Sequence, residues 1–295
     1  MSNKYIVLAN AGILFIAVSW GLNFSVIKWA LSDITPLYYL TMRFLLSGIL
    51  LAVIFFRLVC KMKKSEAYCG IFSGIFLAAS FTAQTVGLQY TTPGKAGFLA
   101  NACVVIVPFL IWLFYKKRPE KNALVGAFIA FAGLAVMSLT ESFTIQLGDF
   151  LQLMCALCFA GQMMVIDRYA ENVDPVRMSV VQVISAGLIT LIFALILEPV
   201  PDLSAGSFPV AVAVGYGVIF CTALSFVIQG YAQKVIKPSN VSIILCFEAV
   251  FAFVFAIGFG YEQVTFRNVA GSVMVIGGFM ISQISLKQPY GKELN

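Results

Sequence analysis

"FTAQTVGLQYTTPGKAGFLANA" (residues 81–102) lies between two long apolar runs, yet it carries two glutamines, a threonine pair, a Pro-Gly turn and an asparagine. A second stretch, "FVIQGYAQKVIKPSNVSIILCF" (226–247), has the same build. Laid over the first at an offset of 145, it pairs Phe81 with Phe226, Gln84 with Gln229 and Pro93 with Pro238. Working outward at that offset, Gly70 meets Gly215, Ser80 meets Ser225, Gly126 meets Gly271 and Gly133 meets Gly278. An offset of 139 brings Pro36 onto Pro175, Gly48 onto Gly187 and Asn23 onto Gln162. Raw identity is little above chance for so apolar a chain. The matches nevertheless fall on Ser, Gln, Pro and Gly, and turns align with turns, which is how a tandem repeat reads.

The solvent is lipid. The chain has 295 residues, of which 61% are hydrophobic and only 11% charged, and its mean hydropathy is +0.96. Soluble domains carry about 25% charged residues. A bilayer core takes about 20 apolar residues as a helix. Ten runs meet that length, at about 6–27, 37–57, 68–89, 96–115, 122–140, 149–167, 178–197, 209–232, 240–260 and 267–286. The first has a short basic start and no small-residue cleavage site, so it reads as a span and not as a removed signal. The loops are too short to house a soluble domain, which confines the chemistry to the bundle.

Basic residues orient it. Lys4, Arg57, Lys61, Lys63, Lys64, Lys116, Lys117, Arg118, Lys121, Arg168, Arg177, Lys234, Lys237, Lys287 and Lys292 fall on the side of the termini. Lys28, Lys95 and Arg267 fall opposite, with Arg43 just inside the second span. By the positive-inside rule both termini are cytoplasmic. The same bias accounts for the net charge of +6 without nucleic acid as a partner. Five spans per half is an odd number, so the two copies cross the membrane in opposite senses. Inverted repeats are a device of secondary transporters, which hold substrate near the midplane between the halves. The expected fold is an all-α polytopic membrane protein of ten transmembrane helices in two inverted five-helix repeats. The expected units are residues 1–142, 143–288 and a cytoplasmic tail at 289–295.

Polar groups inside spans are costly unless partnered. Glu248 is the only acid near the middle of a span, where an ionised carboxylate costs on the order of 3 kcal/mol. It is therefore protonated, paired or facing a wet cavity, and serves as a proton carrier, a counter-charge or a structural carboxyl. Gln84 and Gln229 each follow a serine by one turn, which places each Ser/Gln pair on one helix face. They either line a cavity or join helices, and Asn23, Asn101 and Gln162 carry the same two readings. Trp20, Phe24 and Phe81 can wall a pocket or simply pack. Lys28 and Arg43, near span ends, can snorkel to the interface or gate an anion. "GAFIAFAG" (126–133) and "GSVMVIGG" (271–278) give two spans smooth faces for close contact within the monomer or in a homodimer.

Several chemistries drop out. The seven cysteines are odd in number and mostly sit in apolar runs, so a disulfide framework is not expected. Cys155 and Cys158 have redox spacing but no second pair, and read as small packing residues. There is no histidine, which removes Ser-His and Cys-His nucleophiles and histidine zinc sites. No intramembrane aspartate pair or Ser/Lys pair replaces them, so an enzyme is not expected, nor is a metal or another cofactor.

The chain resembles the EamA-type branch of the drug/metabolite transporter superfamily. The resemblance is carried by "SWGLNFSVIKWAL" (19–31), "RFLLSGILL" (43–51), "QTVGLQYTTPGKAGFLANACVVIVPFLIWL" (84–113) and "QGYAQKVIKPSNVSIILCFEAVFAFVFA" (229–256). It implies ten helices around a cavity lined chiefly by the first, third, fourth, sixth, eighth and ninth. It also implies transport of small metabolites, often amino acids or related solutes, frequently outward. The family's "LEPVFA" segment stands here as Phe247 to Ala252, with Ala249 in place of proline, which removes the usual cause of a helix break. The acid that often follows the fourth span is replaced by Tyr115-Lys116-Lys117-Arg118, whereas Glu262 keeps its counterpart. The expected protein is an alternating-access carrier of the inner membrane, a metabolite exporter with a small-molecule substrate. Trp20, Asn23, Phe24, Gln84, Asn101, Gln162, Gln229 and Glu248 are its expected substrate-binding residues, and Glu248 its coupling group for protons or cations. The alternatives are a carrier of amines, cationic drugs or lipid head groups, or a non-transporting binding subunit.

Overall fold

A computed structural model describes residues 3–90, 93–116, 118–138, 147–201, 207–259 and 263–283. Among them every regular element is helical: α1 (Asn3–Ala30), α2 (Pro36–Ile54), α3 (Phe56–Val59), α4 (Lys64–Gly87), α5 (Pro93–Ala100), α6 (Cys103–Tyr115), α7 (Lys121–Ser138), α8 (Leu147–Tyr169), α9 (Pro175–Leu197), α10 (Phe208–Val218), α11 (Ser225–Ala232), α12 (Pro238–Leu245), α13 (Phe247–Gly258) and α14 (Phe266–Gln283). A π-helical segment, Ile219–Leu224, joins α10 to α11. The unit boundary expected at 142/143, the tail at 289–295 and Glu262 lie outside the described residues.

Among the described residues, seven helical stretches are long and apolar enough to cross a membrane: Lys4–Ala30, Pro36–Ile54, Lys64–Gly87, Leu147–Tyr169, Pro175–Leu197, Phe208–Ala232 and Pro238–Gly258. Cys103–Tyr115, Lys121–Val136 and Phe266–Ser282 are shorter apolar helices. Burial is inverted relative to a water-soluble protein. Val53, Phe114 and Ile196 are 70%, 68% and 71% exposed, whereas Gln152, Gln162 and Gln182 are completely buried. Lipid solvates the former; the interior of the bundle encloses the latter.

Local chemistry sets the helix ends. Pro36, Pro175 and Pro238 start α2, α9 and α12, where a missing N–H costs nothing. The Asp174 carboxylate accepts from the Val176 and Arg177 amides at 3.0 and 3.1 Å and caps α9. Two carboxylates tie helix ends together across the bundle. Glu66 accepts from the Lys63 and Asp174 amides and from Arg177 Nη1 at 3.1 Å. Glu198 accepts from the Leu37 and Tyr38 amides.

Four apolar runs that read as single helices are interrupted, at Phe55, between α5 and α6, in the π segment and at Cys246. Asn101 donates from Nδ2 to the Gly97 carbonyl at 2.9 Å, between α5 and α6. Ser242 donates to the Ser239 carbonyl and the Cys246 thiol to the Ser242 carbonyl, and the helix breaks at Cys246. Such bonds to carbonyls one turn back compete with the backbone ladder and bend helices. Here they accompany a one-residue interruption at Cys246, whose backbone stays right-handed helical at φ −57° and ψ −22°, without the proline that Ala249 replaces. Cys246 lies 145 residues after Asn101, so both breaks fall at one position of the repeat offset.

The glycine faces meet each other within the chain. A Cβ added at Gly126 would lie 2.5 Å from the Gly278 carbonyl, and one at Gly133 2.6 Å from the Gly271 carbonyl. Gly126 and Gly271 are offset mates, as are Gly133 and Gly278, so the α7–α14 contact is reciprocal. The α2–α9 contact is reciprocal too. Gly48 abuts the Ile184 side chain and Gly187 abuts that of Leu45, and both pairs of mates are 139 residues apart. α4 packs between α8 and α9, and α1 runs along α13.

Candidate functional site

A cavity of about 660 Å3 of space not filled by protein, its mouth included, lies among α1, α2, α4, α5, α6, α8, α12 and α13. Its walls hold Trp20, Asn23, Phe24, Gln84, Asn101 and Glu248 together with Arg43, Ser80 and Thr85. Six of the eight expected residues therefore meet at one place. The lining residues lie in the C-terminal halves of α1 and α4 and the N-terminal halves of α2 and α8, so the cavity extends toward one end of the bundle.

Gln162 and Gln229 are placed elsewhere. They do not line the cavity but bond each other, with Gln162 Nε2 donating to Gln229 Oε1 at 3.3 Å and Gln229 Nε2 to Gln162 Oε1 at 3.2 Å. The offset that equates Gln84 with Gln229 describes chain position. It does not describe the helix rotation that aims one amide at the cavity and the other at α8. One turn on, Gln233 donates to the Met163 carbonyl at 3.0 Å. These bonds join α8 to α11 beyond the cavity, toward the end where Lys237 pairs with Glu120 and Arg177 with Glu66. The Ser179 hydroxyl, the Gln182 amide and the Gln233 Oε1 are buried without a partner among the described residues.

The aromatic wall is a connected cluster. The Trp20 ring centroid lies 6.0 Å from Phe81, 5.6 Å from Phe159 and 5.9 Å from Phe226. Trp20 Nε1 donates to the Cys221 carbonyl at 2.9 Å. That carbonyl belongs to the π segment, where the ordinary i→i+4 bonds are lost and carbonyls can turn outward. The next one back, Phe220, takes the Ser225 hydroxyl at 2.6 Å.

Of the two readings for Arg43, snorkelling to the interface or gating an anion, the structure removes the first. It is 1% exposed and lines the cavity. Its Nε donates to Thr222 Oγ1 at 2.7 Å and its Nη2 to the Cys221 carbonyl at 2.9 Å. Its guanidinium carbon lies 4.9 Å from the Phe81 ring centroid and 5.7 Å from that of Phe44, which is cation–π range. The carbonyl of the π segment and the two rings hold the charge in place, so it cannot follow the membrane surface. Its position in the first third of a span was the only sequence signal. Lys28, by contrast, is exposed.

Asn23 Oδ1 accepts from the Tyr39 hydroxyl at 3.4 Å. Ser80 Oγ donates to the Cys155 carbonyl at 3.0 Å. Cys155 and Cys158 are both free thiols, the first buried against Ser80 and the second half-buried. Glu248, in the first turn of α13, is 7% exposed and makes no hydrogen bond or ion pair among the described residues. The eighth run, α10 to α11, contributes no residue to the described walls. The second does, through Arg43.

Comparison with known proteins agrees with this architecture. The EamA-like transporter family matches the chain twice, at residues 7–139 and 146–283. An uncharacterized transporter of Archaeoglobus fulgidus is 30% identical over 268 residues, covering 91% of this chain and 83% of its own. The uncharacterized transporter YoaV of Bacillus subtilis is 19% identical over 94% of this chain and 97% of its own. A crystal structure superposes with a TM-score of 0.77 at 13% identity, over 98% of this chain and 100% of that chain, which is a likeness of fold.

Proposed function

We propose a function from the premise that this chain belongs to the EamA-like transporter family: it is an alternating-access exporter of a small polar or amphipathic metabolite, such as an amino acid or related solute. The observation that carries this reading is the asymmetry of the cavity. A polar, aromatic-walled space extends toward one end of the bundle, and paired amides and ion pairs join helices toward the other.

The three shorter apolar helices complete a ten-span bundle of two inverted halves, residues 1–142 and 143–288. The reciprocal glycine contacts support that symmetry, because a pseudo-two-fold axis makes residue i of one half touch the mate of j, and j the mate of i. The chain sits in the inner membrane with both termini cytoplasmic. The cavity then faces outward and the Gln162–Gln229 pair closes the cytoplasmic side. Rocking one half against the other exchanges the roles of the two ends. The buried, unpartnered Ser179 and Gln182 fit surfaces that meet water in the opposite state.

Trp20, Asn23, Phe24, Gln84, Asn101 and Glu248 bind the substrate, and Glu248 couples its passage to a proton. In vesicles reconstituted with purified protein, Gln84→Leu and Asn101→Leu should raise the half-saturating concentration for a transported solute while leaving the yield of folded protein unchanged. Glu248→Gln should abolish accumulation driven by a pH gradient and spare solute exchange. Loss of folded protein with unchanged affinity in the surviving fraction would make the amides structural. A pH response that persists in Glu248→Gln would remove its coupling role.

A further inference from the structure

We propose that Arg43 recognises a carboxylate on the transported molecule, and that Glu248 is the counter-ion this carboxylate displaces, taking up a proton as it does so. The inference rests on the transporter reading above and assigns the chemistry of its cavity.

Arg43 is a permanent cation held where solvent barely reaches. Its protein contacts are neutral: a hydroxyl, a carbonyl and two aromatic faces. Its Nε and Nη2 each donate one hydrogen bond, the Tyr39 hydroxyl lies beside it, and the side chain borders the cavity. A planar guanidinium fork bordering a cavity is the geometry that grips a carboxylate through two parallel bonds. No carboxylate approaches within 4 Å of Arg43 among the described residues. Glu248 lines the same cavity and is likewise unbonded. An acid and a guanidinium that line one cavity without pairing with each other are both available to a third group.

Charge balance decides what that group does. A poorly hydrated cation requires one compensating anion, and two anions beside one cation leave a surplus charge that the site cannot solvate. Two arrangements satisfy this. Either Glu248 is ionised and the cavity holds no anion, or a ligand carboxylate sits on Arg43 and Glu248 is protonated. Passing from the first to the second brings in one anion and one proton from water, so the net charge of the cavity does not change.

The groups around Glu248 leave it this role. Arg43 on α2 lies within electrostatic range of it, as do the thiols of Cys103 on α6, Cys155 on α8, Cys221 in the π segment and the neighbouring Cys246. α1, packed along α13, presents Trp20, Asn23 and Phe24, which do not titrate. The Tyr39 hydroxyl lies beside Arg43 and is bonded to Asn23. Among these, only Glu248 is an acid whose charge can answer that of Arg43.

The aromatic wall suits a phenyl body, so the test uses three probes that share one: 3-phenylpropionate, phenethylamine and phenylalaninamide. Binding to the purified full-length protein is followed by calorimetry, and proton exchange by a pH dye in weakly buffered detergent solution. We expect 3-phenylpropionate to bind with uptake of about one proton, its affinity falling about tenfold per pH unit across the range in which Glu248 ionises. In Glu248→Gln the same probe should bind with no proton uptake and no pH slope. In Arg43→Gln it should bind about 10- to 100-fold more weakly, and Arg43→Lys, which keeps the charge and loses the fork, should restore only part of this. A structural role for Arg43 would lower the folded yield without moving the proton count.

Binding of either amine as tightly as the carboxylate overturns the proposal. So does proton uptake that survives Glu248→Gln, and so does failure of all three probes to bind. Solute flux that persists in vesicles through any of these outcomes leaves the transporter reading standing; only its loss removes that too.

Discussion

Replacing Gln229 by leucine tests whether the amide pair holds the cytoplasmic end shut. Leucine nearly matches glutamine in size, so the substitution opens little space. It removes the two bonds of 3.3 and 3.2 Å and strands the Gln162 amide, which is completely buried and out of reach of water. Interhelical hydrogen bonds in membranes average about 0.6 kcal/mol, but an orphaned buried polar group costs about 1–3 kcal/mol. The second term dominates, and we expect Gln229→Leu and Gln162→Leu each to destabilise this closure by about 2 kcal/mol. The double variant leaves no orphan and should cost only about 1 kcal/mol, well below the sum of the singles. Two kcal/mol is about a thirtyfold shift in an equilibrium, enough to populate a state open at that end. Amide hydrogen exchange in lipid nanodiscs, read by mass spectrometry over α8 and α11, should accelerate in each single variant and recover partly in the double. Additive losses, or unchanged exchange in the single variants, would refute the argument.

Two further perturbations address the frame around the site. Gly126→Ala puts a Cβ 2.5 Å from the Gly278 carbonyl, and Gly278→Ala one 2.5 Å from the Gly126 carbonyl. Each should cost about 1–3 kcal/mol as overpacking, and the pair less than the sum, because one separation of α7 from α14 relieves both; an unchanged melting temperature would contradict this. In the turn between α1 and α2, the Ser207 and Ser32 hydroxyls hold the exposed Asp33 carboxyl below its ordinary value of 3.8. A depressed carboxylate contributes stability above its unfolded value and loses it as the pH falls through the folded one. Ser207→Ala should therefore raise the Asp33 value toward 3.8 and flatten the pH dependence of stability below about pH 4, and an NMR titration with no shift would rule out the contact.

The lipid environment, the helical class and the family resemblance were legible in the chain because each depends on composition and local order. Hydropathy summed over about 20 residues, turns at Pro93 and Pro238, and an offset shared by polar residues need no knowledge of neighbours. Six cavity residues were legible for a related reason: Trp20, Asn23, Phe24, Gln84, Asn101 and Glu248 are polar or aromatic groups inside runs that lipid would otherwise keep apolar. What remained hidden was rotation about the helix axis, which packing sets and sequence offset does not record. Gln84 and Gln229 occupy matching positions, yet one faces the cavity and the other clasps Gln162. The interruption at Cys246 was hidden as well, since it accompanies a serine and a thiol bonding backward where proline was the expected cause. Arg43 is the clearest case. From the sequence it was a cation near a membrane edge. Only the tertiary structure brings to it the Cys221 carbonyl of a distant π segment and the faces of Phe44 and Phe81, which together turn an interfacial charge into the cavity's fixed cation.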